Sequence, residues 1–284
     1  PLATVITRVA MDHMDFLGNT LRDIAGEKAA IQKSGVPSIV GPQDPEAMDA
    51  ITVTAKSTGA PLYRAGHEWN LGQPYESGGV SYHHGTTDWI LPQPSLPGQH
   101  QLHNAATAAA CLEICKLSGV TEQTVAAGTQ NAHWPGRLQR LTAGFLADQL
   151  APGWNLWVDV AHNPSGAAAA ANMFRVLSES DPRALHLVIA MQNNKDSTGF
   201  LAPFTNLATN FTTVPTPDAP QMQDPAALCK HASMAGFKCQ SCISLTEALQ
   251  SLTGNHPPGH ILITGSHLLV GAALSLNNSM ALDR

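Results

Sequence analysis

Charged side chains are scarce: Asp, Glu, Lys and Arg together make up 13% of the 284 residues, and the net charge is −6. A soluble domain ordinarily carries about a quarter of its residues as charges, so little here suits a solvated tail or an open binding arm. The slight acidic balance gives no basic field for nucleic acid or an anionic membrane, and neither is expected as a partner. Long hydrophobic runs are also missing. Apolar runs such as Leu185 to Met191 and Ile261 to Thr264 fall far short of the roughly 20 residues a membrane helix needs. Cysteine is sparse and odd in number, five in all, which argues against a disulfide framework and for a reducing compartment, the cytoplasm. The opening Pro1-Leu2-Ala3-Thr4 has no initiator Met, basic stretch or apolar core of a leader, and reads as an internal cut. No repeat and no low-complexity block occurs.

What is present is apolar content of 43% with much Ala and Gly, enough for one large or two medium cores, and two domains are expected at this length. The character of the sequence changes around His133-Trp134-Pro135-Gly136. Before it, strand-like runs (Thr4 to Met11, Ser38 to Gly41) alternate with helix-like ones (Thr20 to Gln32, Pro45 to Ser57). A polar stretch from His67 to Asp88 follows and reads as hairpins, then helical patterns at Gln99 to Leu117 and Thr121 to Asn131. After Gly136, strands at Leu156 to Val160, Leu185 to Met191, Phe211 to Val214, around Cys242 and at Ile261 to Thr264 alternate with helices. That alternation argues for a parallel sheet covered on both faces. The chain is thus expected to be α/β, with a Rossmann-like domain at residues 136–284 after a first domain at 1–133.

Ligands of such sheets sit outside the carboxyl ends of the strands. Two ends draw attention: Val158-Asp159-Val160-Ala161-His162-Asn163-Pro164 and Ile263-Thr264-Gly265-Ser266-His267. Each leads an apolar strand into a helix, whose free N–H groups attract anions. Asp159, His162 and Ser266 are candidate ligand contacts, and the alternative is that Asp159 and Ser266 merely cap helices. In the first domain the run Val5 to Met11 leads into Asp12-His13, where a neutral imidazole could reach a metal or phosphate. A step of about 100° per residue puts Leu21, Ile24, Lys28 and Ile31 on one helical stripe, which should be buried. A buried lysine needs a partner, a lowered pKa or modification such as a carbamate; the alternative is a stem that snorkels its ammonium to solvent. Cys239-Gln240-Ser241-Cys242 has zinc-like spacing but no second pair, and Cys111 and Cys115 read as small core residues. For His83, His84, His100 and His103 a structural role is preferred.

The run Ile6-Thr7-Arg8-Val9-Ala10-Met11-Asp12-His13-Met14-Asp15-Phe16-Leu17-Gly18, followed by Gly26-Glu27-Lys28-Ala29, resembles the central signature of the dihydrofolate synthase/folylpolyglutamate synthase family. Further blocks match in family order: Leu96-Pro97-Gly98-Gln99-His100-Gln101 with Asn104-Ala105, Trp134-Pro135-Gly136-Arg137-Leu138-Gln139, Asp159-Val160-Ala161-His162-Asn163-Pro164, and Thr264-Gly265-Ser266. The resemblance implies a Mur-type ligase in which ATP phosphorylates a carboxylate and the amine of glutamate attacks the acyl phosphate. It implies Mg2+ at His13 and at Lys28, the latter carbamylated, and ATP at Asn104, Arg137 and Asp159. It places the incoming L-glutamate at His162 and Ser266, with dihydropteroate or folates as acceptor, and with Lys28, Arg137 and His162 serving catalysis. Residues 1–133 would be the C-terminal part of the ATP-binding domain, and a monomer is expected.

Departures bear on this reading. The family's phosphate loop ends in Gly-Lys-Ser, and no Gly-Lys dipeptide occurs in the chain. Turnover by these residues alone is therefore not expected. Ala30 and Val160 stand where the family usually has Gly. Alternatives are another Mur-type amino-acid ligase, a non-catalytic folate or nucleotide binder, and a nicotinamide-dependent oxidoreductase. Against the last, no strand is followed by Gly-x-Gly-x-x-Gly.

Overall fold

In the computed structural model, which describes residues 1–12, 14–76 and 78–279, the chain forms two compact units, residues 1–133 and 134–284. The first contains a three-stranded parallel sheet, β1 (Thr4–Ile6), β2 (Ser38–Val40) and β3 (Leu62–Arg64), in that order. A short helix α1 (Met14–Leu17) precedes α2 (Leu21–Ala29); α2 and α3 (Pro45–Thr58) pack on each other. Ile24, Ala25 and Ala29 of α2 meet Ala47, Ala50 and Ile51 of α3 and Ile6 and Val40 of the sheet in one apolar cluster. Thr20 starts α2 by accepting the Asp23 N–H, one of the donors a helix start leaves open.

An antiparallel meander, β4 (Asn70–Pro74), β5 (Val80–His84) and β6 (Thr87–Leu91), fills the polar stretch. Buried Trp69, Tyr82 and Leu91 pack with Ala106, Ala109 and Ala110 of α4 (Gln99–Ile114) and Val125 of α5 (Glu122–Asn131). The two histidines in it act as fasteners. His84 Nδ1 lies 2.6 Å from the Glu113 carboxylate of α4, and His83 Nδ1 lies 3.2 Å from Asp88. Cys111 sits half-buried on α4 and packs against that core, while Cys115, also half-buried, caps the end of the helix.

The second unit is built on one six-stranded sheet. Its strands are β7 (Gln139–Leu141), β8 (Asn155–Val158), β9 (Leu185–Ile189), β10 (Ala208–Thr213), β11 (Cys239–Ser241) and β12 (His260–Thr264), in the order β11-β10-β9-β12-β8-β7. All neighbours are parallel except β7 with β8. The α/β expectation holds with that correction: an antiparallel edge strand that three residues, two of them polar, did not announce. Strands β9 and β12 are buried at every position, as strands covered on both faces must be. One cover comprises α6 (Pro164–Ser180), α7 (Ser197–Leu201) and α8 (Pro225–Met234), through residues such as Phe174, Phe200 and Leu228. The opposite cover comprises α9 (Leu245–Asn255) and α10 (His267–Ser279), through Leu249, Leu252, Leu269 and Val270. Among the described residues no helix is long and apolar enough to cross a membrane.

The cysteines correct a second expectation. Cys229 of α8 and Cys239 of β11 form a disulfide with Cα atoms 5.5 Å apart, so the odd count concealed a bridge. Cys242, the other half of the zinc-like spacing, turns instead into the core beneath α9.

Candidate functional site

The strand order places β8 and β12 side by side, so the two strand ends singled out in the sequence are neighbours. After β8 the chain passes β12 to build β9, β10 and β11, then returns to lay β12 between β9 and β8. Such a reversal leaves a crevice at the carboxyl ends of the strands it separates. The ends are tied together there: the Asp159 N–H donates to the Ile263 carbonyl (3.0 Å) and the Gly265 N–H to the Ala161 carbonyl (2.9 Å).

Asp159 is buried at 7% exposure, and its carboxylate accepts the Leu138 N–H at 2.8 Å and the Ala161 N–H at 2.9 Å. It therefore joins the Pro135-Gly136-Arg137-Leu138 turn to the end of β8. It caps no helix; Asn163 does that for α6, accepting the Gly166 N–H. Burial pushes the Asp159 carboxyl above its ordinary range, while the two backbone N–H donors and the charges of Arg137 and His162 pull it down. Arg137 itself is exposed. The half-buried His162 donates Nδ1–H to its neighbour Val160's carbonyl (2.9 Å), which fixes ring and tautomer, and its ring stands edge-on to His267 at 6.4 Å.

Ser266 is buried, and its hydroxyl accepts the Leu268 N–H at 3.1 Å, the capping arrangement at the start of α10. It also lies 3.8 Å from Met222 Sδ. Gly265 ahead of it adopts φ +97°, and a Cβ there would sit 2.8 Å from the Ala190 carbonyl oxygen. Only glycine fits. At the neighbouring end of β9, Gln223 donates to the Gln192 carbonyl and bonds Ser197 of α7, whose start Asp196 caps. Met222 and Gln223 went unnoticed in the sequence, because the loop before α8 carries no motif; that it follows a strand end is the one signal that could have found them.

In the first unit, Asn104 is exposed on α4 and donates to Gln101 Oε1 at 3.0 Å. Lys28 is exposed, contrary to the stripe argument. The helix ends at Ala29, so Ile31 lies beyond it, and the face turned inward is Ile24, Ala25 and Ala29. Its exposure gives no physical reason for a modified amine, and a carbamate there is implied by the resemblance alone. The strand is also shorter than expected. β1 stops at Ile6, and the Gln43 side chain holds Thr7 and Val9 in the irregular segment that follows. Asp12 is therefore not at a strand end, and His13 lies outside the described residues. Among the described residues no group of three or more His, Cys, Asp and Glu could hold a metal.

A family profile described as "Mur ligase, glutamate ligase domain" matches residues 136–267, which hold both strand ends. The second unit is thus similar to the glutamate ligase domain of Mur-type ligases. The "probable dihydrofolate synthetase" of Schizosaccharomyces pombe is 29% identical over 95% of this chain and 64% of its own length. The Escherichia coli dihydrofolate synthase/folylpolyglutamate synthase is 36% identical over 70% of this chain and 42% of its own. Among solved structures, E. coli FolC in complex with DHPP and ADP aligns with TM-score 0.82 at 28% identity, covering 98% of this chain and 61% of that one. Over nearly its whole length the chain is thus similar to Mur-type ligases of the dihydrofolate synthase/folylpolyglutamate synthase family, and it spans less than two thirds of the length of these relatives.

Proposed function

We propose that the protein joins L-glutamate to dihydropteroate or a folate in an ATP-dependent reaction through an acyl phosphate. The observation that carries this reading is the pair of tied strand ends at β8 and β12 inside the segment matched as a glutamate ligase domain. Relatives supply the ligand classes: one solved Yersinia pestis structure contains AMPPNP and a Mn ion, and the E. coli one contains ADP and DHPP. In this reading residues 1–133 are the C-terminal part of the ATP-binding domain, contributing Asn104 to the nucleotide. Arg137, a planar cation on the turn that Asp159 anchors, meets the phosphate oxygens. Asp159 serves the nucleotide by holding that turn in place, since both its oxygens already accept backbone donors.

His162, its ring oriented by the Nδ1–H bond to the Val160 carbonyl, meets the incoming glutamate, and Ser266 lies at the adjacent strand end. Catalysis is then positioning plus charge stabilisation. Magnesium, when bound, supplies charge neutralisation on the phosphates; His13 and carbamylated Lys28 are its proposed holders. Among the described residues no cluster of three or more His, Cys, Asp or Glu stands beside Lys28 to complete such a site. With no Gly-Lys dipeptide to grip phosphates, these 284 residues by themselves do not turn over ATP. We place the protein in the cytoplasm as a monomer.

The test is a glutamate-incorporation assay on the complete protein with ATP, magnesium and either dihydropteroate or tetrahydrofolate. Incorporation with at least one acceptor is expected, lost on Arg137→Ala and on Lys28→Ala. Absence of incorporation with both acceptors would overturn the assignment. Magnesium-dependent ATP hydrolysis by the pure 284-residue chain would overturn the claim that it is inactive alone.

A further inference from the structure

Strand β11 is the outermost strand of the second sheet, only three residues long and paired on one side to β10. A short edge strand is weakly held, because one row of its backbone groups has no partner strand. The connection from α8 makes a tight return: Gly236 adopts φ +89°, and Phe237 packs on Phe211 of β10 with ring centroids 4.1 Å apart. This return brings Cys239, the first residue of β11, against Cys229 on α8, with Cα atoms 5.5 Å apart. That separation is within the range a disulfide spans without backbone movement.

Both cysteines are half-buried, whereas Cys242 is 9% exposed, inside the core beneath α9. The three residues of spacing that suggested a Cys239/Cys242 pair in fact send the two thiols to different neighbours. Burial and the nearby Glu247 raise the Cys242 thiol, which keeps it protonated and a poor nucleophile.

We infer that Cys229 and Cys239 form a reversible thiol–disulfide site that fastens the edge strand β11 to α8 and is set by low-molecular-weight disulfides. In the oxidising direction one cysteine thiolate attacks a small disulfide such as oxidised glutathione, breaking its S–S bond and releasing one small thiolate. The second cysteine, as thiolate, then attacks the mixed disulfide at the protein sulfur and expels the other small thiolate. Two protein thiols are oxidised, one small disulfide is reduced to two thiols, and the two protons lost from the cysteines end on those thiols. A reducing compartment opens the bridge and an oxidising episode closes it. The site is independent of the ligase reading, since neither cysteine belongs to the strand ends of β8 and β12.

Lys230 and Lys238 both lie between the two cysteines, which makes the test direct. The chain is treated with oxidised glutathione, remaining thiols are alkylated, and trypsin is added. The peptide ending at Lys230 and the peptide beginning at Cys239 are expected to stay linked until dithiothreitol is added, while Cys111, Cys115 and Cys242 are alkylated. The link should persist in Cys242→Ser, where Cys239 is the remaining cysteine of the second peptide, and vanish in Cys239→Ser. The oxidised protein should melt on the order of 5–10 °C above the reduced one, since the bridge closes a short loop. That difference should vanish in Cys229→Ser. Failure to link in Cys242→Ser, a link that survives Cys239→Ser, or equal melting of the oxidised and reduced forms would each overturn the proposal.

Discussion

Asp159 holds two backbone donors in a place water does not reach, so its removal has a definable cost. Asp159→Ala leaves the Leu138 and Ala161 amides unpaired, and a loss of about 1–3 kcal/mol per orphaned group is expected in urea unfolding. The variant should lose nucleotide affinity as well, because the turn carrying Arg137 loses its anchor. At the opposite edge of the sheet, His186 and His260 are buried with their Nδ1 atoms accepting from Asn210 and Asn155. Burial holds His186 down to about 4, helped by the nearby His256 and His260. Burial likewise lowers His260, against the pull of Asp181 and with the push of Arg183. The folded state therefore favours neutral rings. The stability they support is complete above the unfolded value near 6.5 and drains away as pH falls toward 4. The urea midpoint should drop across that interval, and His186→Phe should flatten the slope whatever its effect on stability at pH 8.

The strand-end rule picked out two segments that do lie side by side, after β8 and β12, but it misplaced Asp12, because β1 stops at Ile6; periodicity through a short helix misled as well. Asp159, His162 and Ser266 were placed by the rule that ligands gather at carboxyl ends. Lys28 was misplaced because the helical step was extended past the Ala29 end of α2.

Among the elements, the long helices and the mostly apolar strands were readable, since Leu185 to Ile189 and His260 to Thr264 are bounded runs of strand length. β7 was not, being too short for a period, nor was the 3-10 turn at Ala202–Phe204, which holds Pro203. The start of α10 gives two contrasting substitutions. Ser266→Ala removes a cap and should cost about 0.5–2 kcal/mol, with melting as the readout. Gly265→Ala must force a Cβ against the Ala190 carbonyl at a positive φ. A larger loss, about 1–3 kcal/mol from the strained backbone plus the clash, is expected. Should Gly265→Ala melt like the parent, the close approach of the two strand ends is wrong.

For the whole molecule, the chain divides at residue 133 into units with separate apolar clusters. Residues 134–284 enclose a complete sheet covered on both faces, so that segment expressed alone should unfold in one cooperative transition. A broad, non-cooperative melt would show that it depends on the first unit. In the sequence, Pro135 and Gly136 stand between two different rhythms of strand and helix.

The second sheet keeps its candidate chemistry on one rim and its acid-sensitive imidazoles on the other. A fall in turnover below neutrality would consequently carry two superimposed signals, protonation at the reacting rim and loosening at the remote one. An acid limb in a rate profile therefore acquires a mechanistic meaning only after the fraction folded at each pH has been divided out.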